Sequence, residues 1–110
     1  MVLLNDPQYQ EAARVLGEKV IGQFPNQPDL QIQTAFRLIT GRYPDSFEAT
    51  HLRQFYEKQS LWYKEHLDDA AAYLSVGEYP VNQELPNYQL AAMGITINSM
   101  MNTAEAFTRK

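Results

Sequence analysis

Residues 28–48 read Pro28-Asp29-Leu30-Gln31-Ile32-Gln33-Thr34-Ala35-Phe36-Arg37-Leu38-Ile39-Thr40-Gly41-Arg42-Tyr43-Pro44-Asp45-Ser46-Phe47-Glu48. Ile32, Ala35, Phe36 and Ile39 recur at helical spacing, so the stretch from about Asp29 to Thr40 is expected to be an amphipathic helix. Gly41 stands where a left-handed cap closes such a helix. Tyr43-Pro44 then forbids its continuation. Asp45-Ser46-Phe47-Glu48 has the form of a capping box, an acceptor followed three residues later by Glu, and starts the next helix. A helix, a stop and a restart within twenty-one residues imply helices packed on one another.

The same signals extend outward. Asn5-Asp6-Pro7 reads as a helix start. Tyr9, Ala12, Ala13, Leu16, Val20 and Phe24 follow at helical spacing, and Pro25-Asn26-Gln27-Pro28 ends that helix. The third helix is expected to run to about His66, with Leu52, Phe55, Tyr56, Gln59, Trp62 and Tyr63 on or near one side. A short fourth helix is expected over Ala70–Val76, started at Asp68 or Asp69 and stopped by Gly77. Residues 78–86 read as a loop, with Pro80 and Pro86 as breakers. The last helix is expected from about Asn87 to Thr108, with a stripe of Leu90, Met93, Ile97, Met101, Ala104 and Phe107. Gly94 at the edge of that stripe would let another helix approach closely. No stretch alternates as a strand does. The fold class is therefore all-α, an irregular bundle of about five helices packed by ridges into grooves, forming one domain over residues 1–110.

Composition limits the chemistry. The 110 residues carry a net charge of -4 and no cysteine. Disulfides, thiolate zinc sites, iron–sulfur clusters and covalently attached c-type haem are excluded within the chain. The basic residues are scattered and form no stripe, which argues against nucleic acid as a partner. No apolar run is long enough for membrane insertion. Met1-Val2-Leu3-Leu4 lacks the basic start and long apolar run of a signal peptide.

No catalytic, metal or cofactor site emerges. Glu48 and His51 form a Glu-x-x-His step of the kind used by di-iron bundles. The other histidine, His66, has Tyr63 and not Glu three residues before it, and the capping box already explains Glu48. Glu65, His66, Asp68 and Asp69 cluster, but read more simply as a solvated helix junction. Gly41, Gly77 and Gly94 are isolated, so no phosphate loop is present. Tyr56, Trp62, Tyr63, Tyr79 and Tyr88 are the candidate interaction surface, because exposed Tyr and Trp favour interfaces or sugar stacking. Most of these aromatics are nonetheless expected to pack in the core. On the last helix, Asn98, Asn102 and Glu105 form a polar row beside the apolar stripe. Its preferred reading is structural, a clamp in which Asn102 and Glu105 meet Arg37 or Arg42 of the second helix. A binding site is the alternative.

The stretch Ala35-Phe36-Arg37-Leu38-Ile39-Thr40-Gly41-Arg42-Tyr43-Pro44, then Glu48, resembles an "AFRLxxGRxP…E" segment of a large bacterial family. Leu90-Ala91-Ala92-Met93 and the ending Met101-Asn102-Thr103-Ala104-Glu105-Ala106-Phe107-Thr108-Arg109 resemble its closing "LAAW…LLNxxEFxxR". Gly77 before an acidic, proline-containing loop fits as well. Asp6-Pro7-Gln8-Tyr9 with Ala12-Ala13-Arg14 agrees more loosely. The chain departs from the pattern at Met93, where the family shows Trp, and at Thr103-Ala104, where Leu-Asp is common. The family is the planctomycete-type domain of unknown function that accompanies planctomycete cytochrome c modules, and the chain resembles its C-terminal region. The resemblance implies a larger secreted or envelope-associated bacterial protein, periplasmic or extracellular, with the signal outside this chain. It brings no catalytic residue and no haem-attachment motif. The expected function is non-catalytic, in packing or interaction with other domains of the same protein, or with another protein or a glycan. The rivals are a segment of a larger enzyme and a glycan-binding surface of exposed aromatics. A contiguous exposed apolar face would favour an interface. A deep pocket with convergent polar groups would favour an enzyme.

Overall fold

The computed structural model describes residues 7–75 and 84–108, with side chains placed over 10–75 and 84–102. Five helices follow one another, α1 (Pro7–Gln23), α2 (Pro28–Thr40), α3 (Ser46–Lys64), α4 (Leu67–Leu74) and α5 (Asn87–Thr108). Among the described residues there is no strand. The all-α bundle is as expected. The Asn5-Asp6 start, the Gly77 stop and most of the 78–86 loop lie outside the described residues.

The signals at the α2–α3 corner act as they should. Gly41 adopts φ 84°, in the left-handed region, and its N–H donates to the Arg37 carbonyl at 2.9 Å. The Asp45 carboxylate accepts from the Glu48 N–H at 2.8 Å while Glu48 Oε1 accepts from the Asp45 N–H at 3.0 Å, completing the capping box. At the α1–α2 turn, Asn26 takes a left-handed φ of 60°. Gln31 is fully buried there, and its side-chain amide donates to the Phe24 carbonyl at 2.7 Å.

Two expectations are corrected. The short helix begins at Leu67 and ends at Leu74, several residues before the expected Ala70 start. His66 occupies its N-cap without a side-chain bond, so Asp68 and Asp69 fall inside the first turn, beside the positive end of the helix. On α1, Ala12 is exposed, and Arg14 is buried in its place.

The expected stripe on α5 is more than a stripe. Leu90, Ala91, Ala92, Met93, Gly94, Thr96 and Ile97 are all buried, and α5 packs against each of the other four helices. Over residues 90–97 only Ile95 is not buried, so this stretch is the axis of the bundle, with one face left open at Ile95, Asn98 and Ser99. Small residues make this possible. The position a Cβ would take at Gly17 of α1 lies 3.3 Å from the Gly94 nitrogen, so the two backbones run close together there. A Cβ on Gly94 would stand 2.8 Å from the Tyr73 ring, so the missing side chain accommodates α4. Around this axis lie Ala13, Val20, Ile32, Phe36, Leu52 and Leu74.

Candidate functional site

Arg37 and Arg42 stand at the α2–α3 corner. Arg42 holds Glu48 with two parallel hydrogen bonds, of 2.9 and 2.8 Å, in the fork geometry that suits guanidinium and carboxylate. The Arg42 guanidinium also lies 5.1 Å from the centre of the Phe36 ring. Arg37 donates to the Gly41 carbonyl at 3.1 Å and covers Tyr43 at 5.4 Å. Both arginines are thus engaged within their own corner. Asn102 is exposed on α5. The Glu105 side chain lies outside the described residues. The bond from Arg42, followed by the Asp45 N–H, holds the Glu48 carboxyl well below the usual carboxylate range, down to about 2. His51 is stacked on Phe47, with ring centroids 6.4 Å apart, so the Glu-x-x-His step is occupied by a cap and an aromatic pair. Among the described residues, no three of His, Asp and Glu stand close enough to share a metal ion.

The aromatic set divides. Tyr56 and Tyr63 are buried, at 6% and 8% exposure, which corrects their place in an exposed interaction surface. With Leu52 they form the face of α3 turned to the core. Burial pushes the Tyr56 phenol up, opposed by a hydrogen bond with Gln89 of α5. Burial also raises the Tyr63 phenol, followed by the charge of Asp69. Tyr88 is half-buried, with the Lys64 ammonium 5.4 Å from its ring centre. Trp62 is 45% exposed. Tyr79 lies outside the described residues.

Trp62 belongs to an exposed row that the aromatic inventory did not isolate. Phe47, His51, Gln54, Lys58, Leu61 and Glu65 are all exposed, and helical periodicity sets them along the outer side of α3. The row is apolar at both ends and polar in the middle. At one end Phe47 is 80% exposed. At the other, Leu61, Trp62 and Leu67 are 67%, 45% and 56% exposed. Trp62 lies flat on His66, with centroids 3.9 Å apart and planes 9° apart, and the His66 Nδ1 is 2.7 Å from the Trp62 carbonyl oxygen. A shallow groove of about 520 Å³ runs along this end, lined by Lys58, Gln59, Leu61, Trp62, Tyr63 and Glu65. The clue in the sequence was Leu61, which lies off the apolar period of α3.

A second groove, of about 220 Å³, opens where α1, α3, α4 and α5 meet. Its α5 side is Ile95, Asn98, Ser99 and Asn102, positions spaced to share one face. Gln10, Phe55 and Tyr73 complete it, one from each of the other three helices. The Tyr73 hydroxyl is buried and has no hydrogen-bond partner. Burial drives its phenol strongly upward, against the pull of the positive Arg14. Two members of the expected polar row, Asn98 and Asn102, therefore face a recess. No family model, curated protein or solved structure matches the chain.

Proposed function

We propose that the chain is a non-catalytic helical domain that docks through the outer side of α3 onto a neighbouring domain of a larger, envelope-associated bacterial protein, in the periplasm or outside the cell. The observation that carries this reading is the exposure of Phe47, Leu61, Trp62 and Leu67 on α3 and at the start of α4. At one end of the row Leu61, Trp62 and Leu67 gather large apolar groups beside Lys58 and Glu65, the make-up of an interface, and Phe47 extends it at the other end. The resemblance to the planctomycete-type domain supports the larger protein and its location. The rival reading, a wall of an active site completed elsewhere, would draw on the α5 groove, where the described residues offer amides and hydroxyls but no acid, base or cation.

Hydroxyl-radical footprinting of the chain alone and of the complete protein encoded by its gene tests the proposal. Phe47, Leu61 and Trp62 are expected to oxidise several-fold more slowly in the complete protein. Equal oxidation in both would remove the support for docking through α3.

A further inference from the structure

We propose that the groove between α5 and the ends of α1, α3 and α4 binds a neutral, hydroxyl-bearing ligand about the size of one sugar ring. The site is separate from the docking row on α3 and does not depend on it. Tyr73 lines it, and the Tyr73 hydroxyl is buried and without a partner. A buried phenol normally finds a hydrogen bond, and Phe would fill the same space without leaving a polar atom stranded. The surroundings are shaped to admit this ring. Gly94 interrupts the middle of α5, where Gly is a poor helix former, and any Cβ there would collide with Tyr73.

The lining selects the ligand class. Asn98 and Asn102 each offer a carboxamide that both donates and accepts, and Tyr73 offers a hydroxyl. Such groups match a ligand whose own groups do both, as sugar hydroxyls do. Among the described residues none of the lining groups is charged, so this part of the wall selects neither an anion nor a cation. Phe55 and Ile95 supply apolar surface for the C–H side of a ring. The volume of about 220 Å³ is below that of pockets for drug-sized molecules, which suits a small ligand.

The test titrates the ¹⁵N-labelled chain with methyl glycosides of neutral hexoses, followed by amide shifts, with N-methylacetamide as a peptide-group control. Saturable shifts centred on Gln10 and residues 95–102 are expected with at least one glycoside and not with the control. Tyr73→Phe should weaken that binding about tenfold, and without ligand it should melt at the wild-type temperature or a few degrees above it. Asn98→Ala should weaken binding similarly while leaving the fold intact. Absence of a saturable shift with every glycoside, tighter binding of N-methylacetamide, unchanged affinity in Tyr73→Phe, or a lower melting temperature of unliganded Tyr73→Phe would each overturn the proposal. The last result would mean that the hydroxyl already has a structural partner.

Discussion

Glu48 serves three groups at once. It receives two bonds from Arg42 and one from the Asp45 N–H, and its own N–H donates to Asp45. All three bonds to the carboxylate favour its charged form, so its folded-state value falls to about 2. An unfolded Glu titrates at about 4.3. Because the folded value is depressed, the contribution to stability is fully present above the unfolded value and is lost as pH falls toward 2. Denaturant melts of wild type and Glu48→Gln from pH 7 down to pH 2 should show a constant wild-type advantage to about pH 5, shrinking below it. A difference independent of pH would show that the charge contributes nothing. Asp45→Ala should cost about 1 kcal/mol through loss of the cap. At this scale the sequence was most legible where chemistry is local, as at Gly41 and the capping box. The partner of Arg42 was harder to read, because Glu48 already had a role as a cap and the arginine was assigned to a distant helix. A pair six residues apart across a closed turn needs far less loop closure than one spanning most of the chain.

Among the helices, α5 was legible as an element but not as an axis. Apolar periodicity marked Leu90, Met93 and Ile97, yet Ala91, Ala92 and Thr96 are buried as well. Small residues carry little hydrophobic signal, and their burial depends on which neighbours approach. The Gly94 expectation held because a glycine amid apolar residues has few uses other than close approach. Gly94→Ala tests the consequence. Helix propensity alone favours Ala by about 1 kcal/mol. The collision with Tyr73 at 2.8 Å opposes it, and overpacking of this kind costs about 1–3 kcal/mol. A net loss in thermal or denaturant melts is expected, and Tyr73→Ala in the same chain should relieve the clash, making the double variant more stable than additivity predicts. Additive effects would mean that the ring and the glycine do not meet. The α4 boundary was missed because Leu67 follows a histidine that carries no capping signal.

Across the molecule, the division between core and outer face is sharpest on α3. Tyr63 is 8% exposed and Leu61, two residues earlier, is 67% exposed. Tyr63→Ala should therefore cost roughly 3 kcal/mol, as large-to-small changes of buried aromatics do. Phe47→Ser and Leu61→Ser should each stay within about 0.5 kcal/mol of wild type. Urea melts of the three variants decide the matter, and a large loss at Leu61 would mean that the outer row is part of the core. The sequence predicted helices and a buried side for each. It was less informative about which aromatic faces outward, because Tyr, Trp and Phe fit either side and only the rotation of α3 against α5 assigns them. The expectation that most of these aromatics pack in the core holds for Tyr56 and Tyr63, but nothing local told them apart from Trp62.

Trp62 is the only tryptophan in the chain, and it stands on the outer row of α3. Intrinsic fluorescence of the isolated chain is thus a surface signal. The half-exposed indole already meets water in the native state, so its emission maximum should move little when the core melts, and a fluorescence-based denaturation curve would have a small amplitude beside the transition that circular dichroism records. The same indole should shift to the blue, and resist quenching by acrylamide, when another surface closes over it. Nature has placed the one built-in optical probe of this domain where it reports contact and not folding.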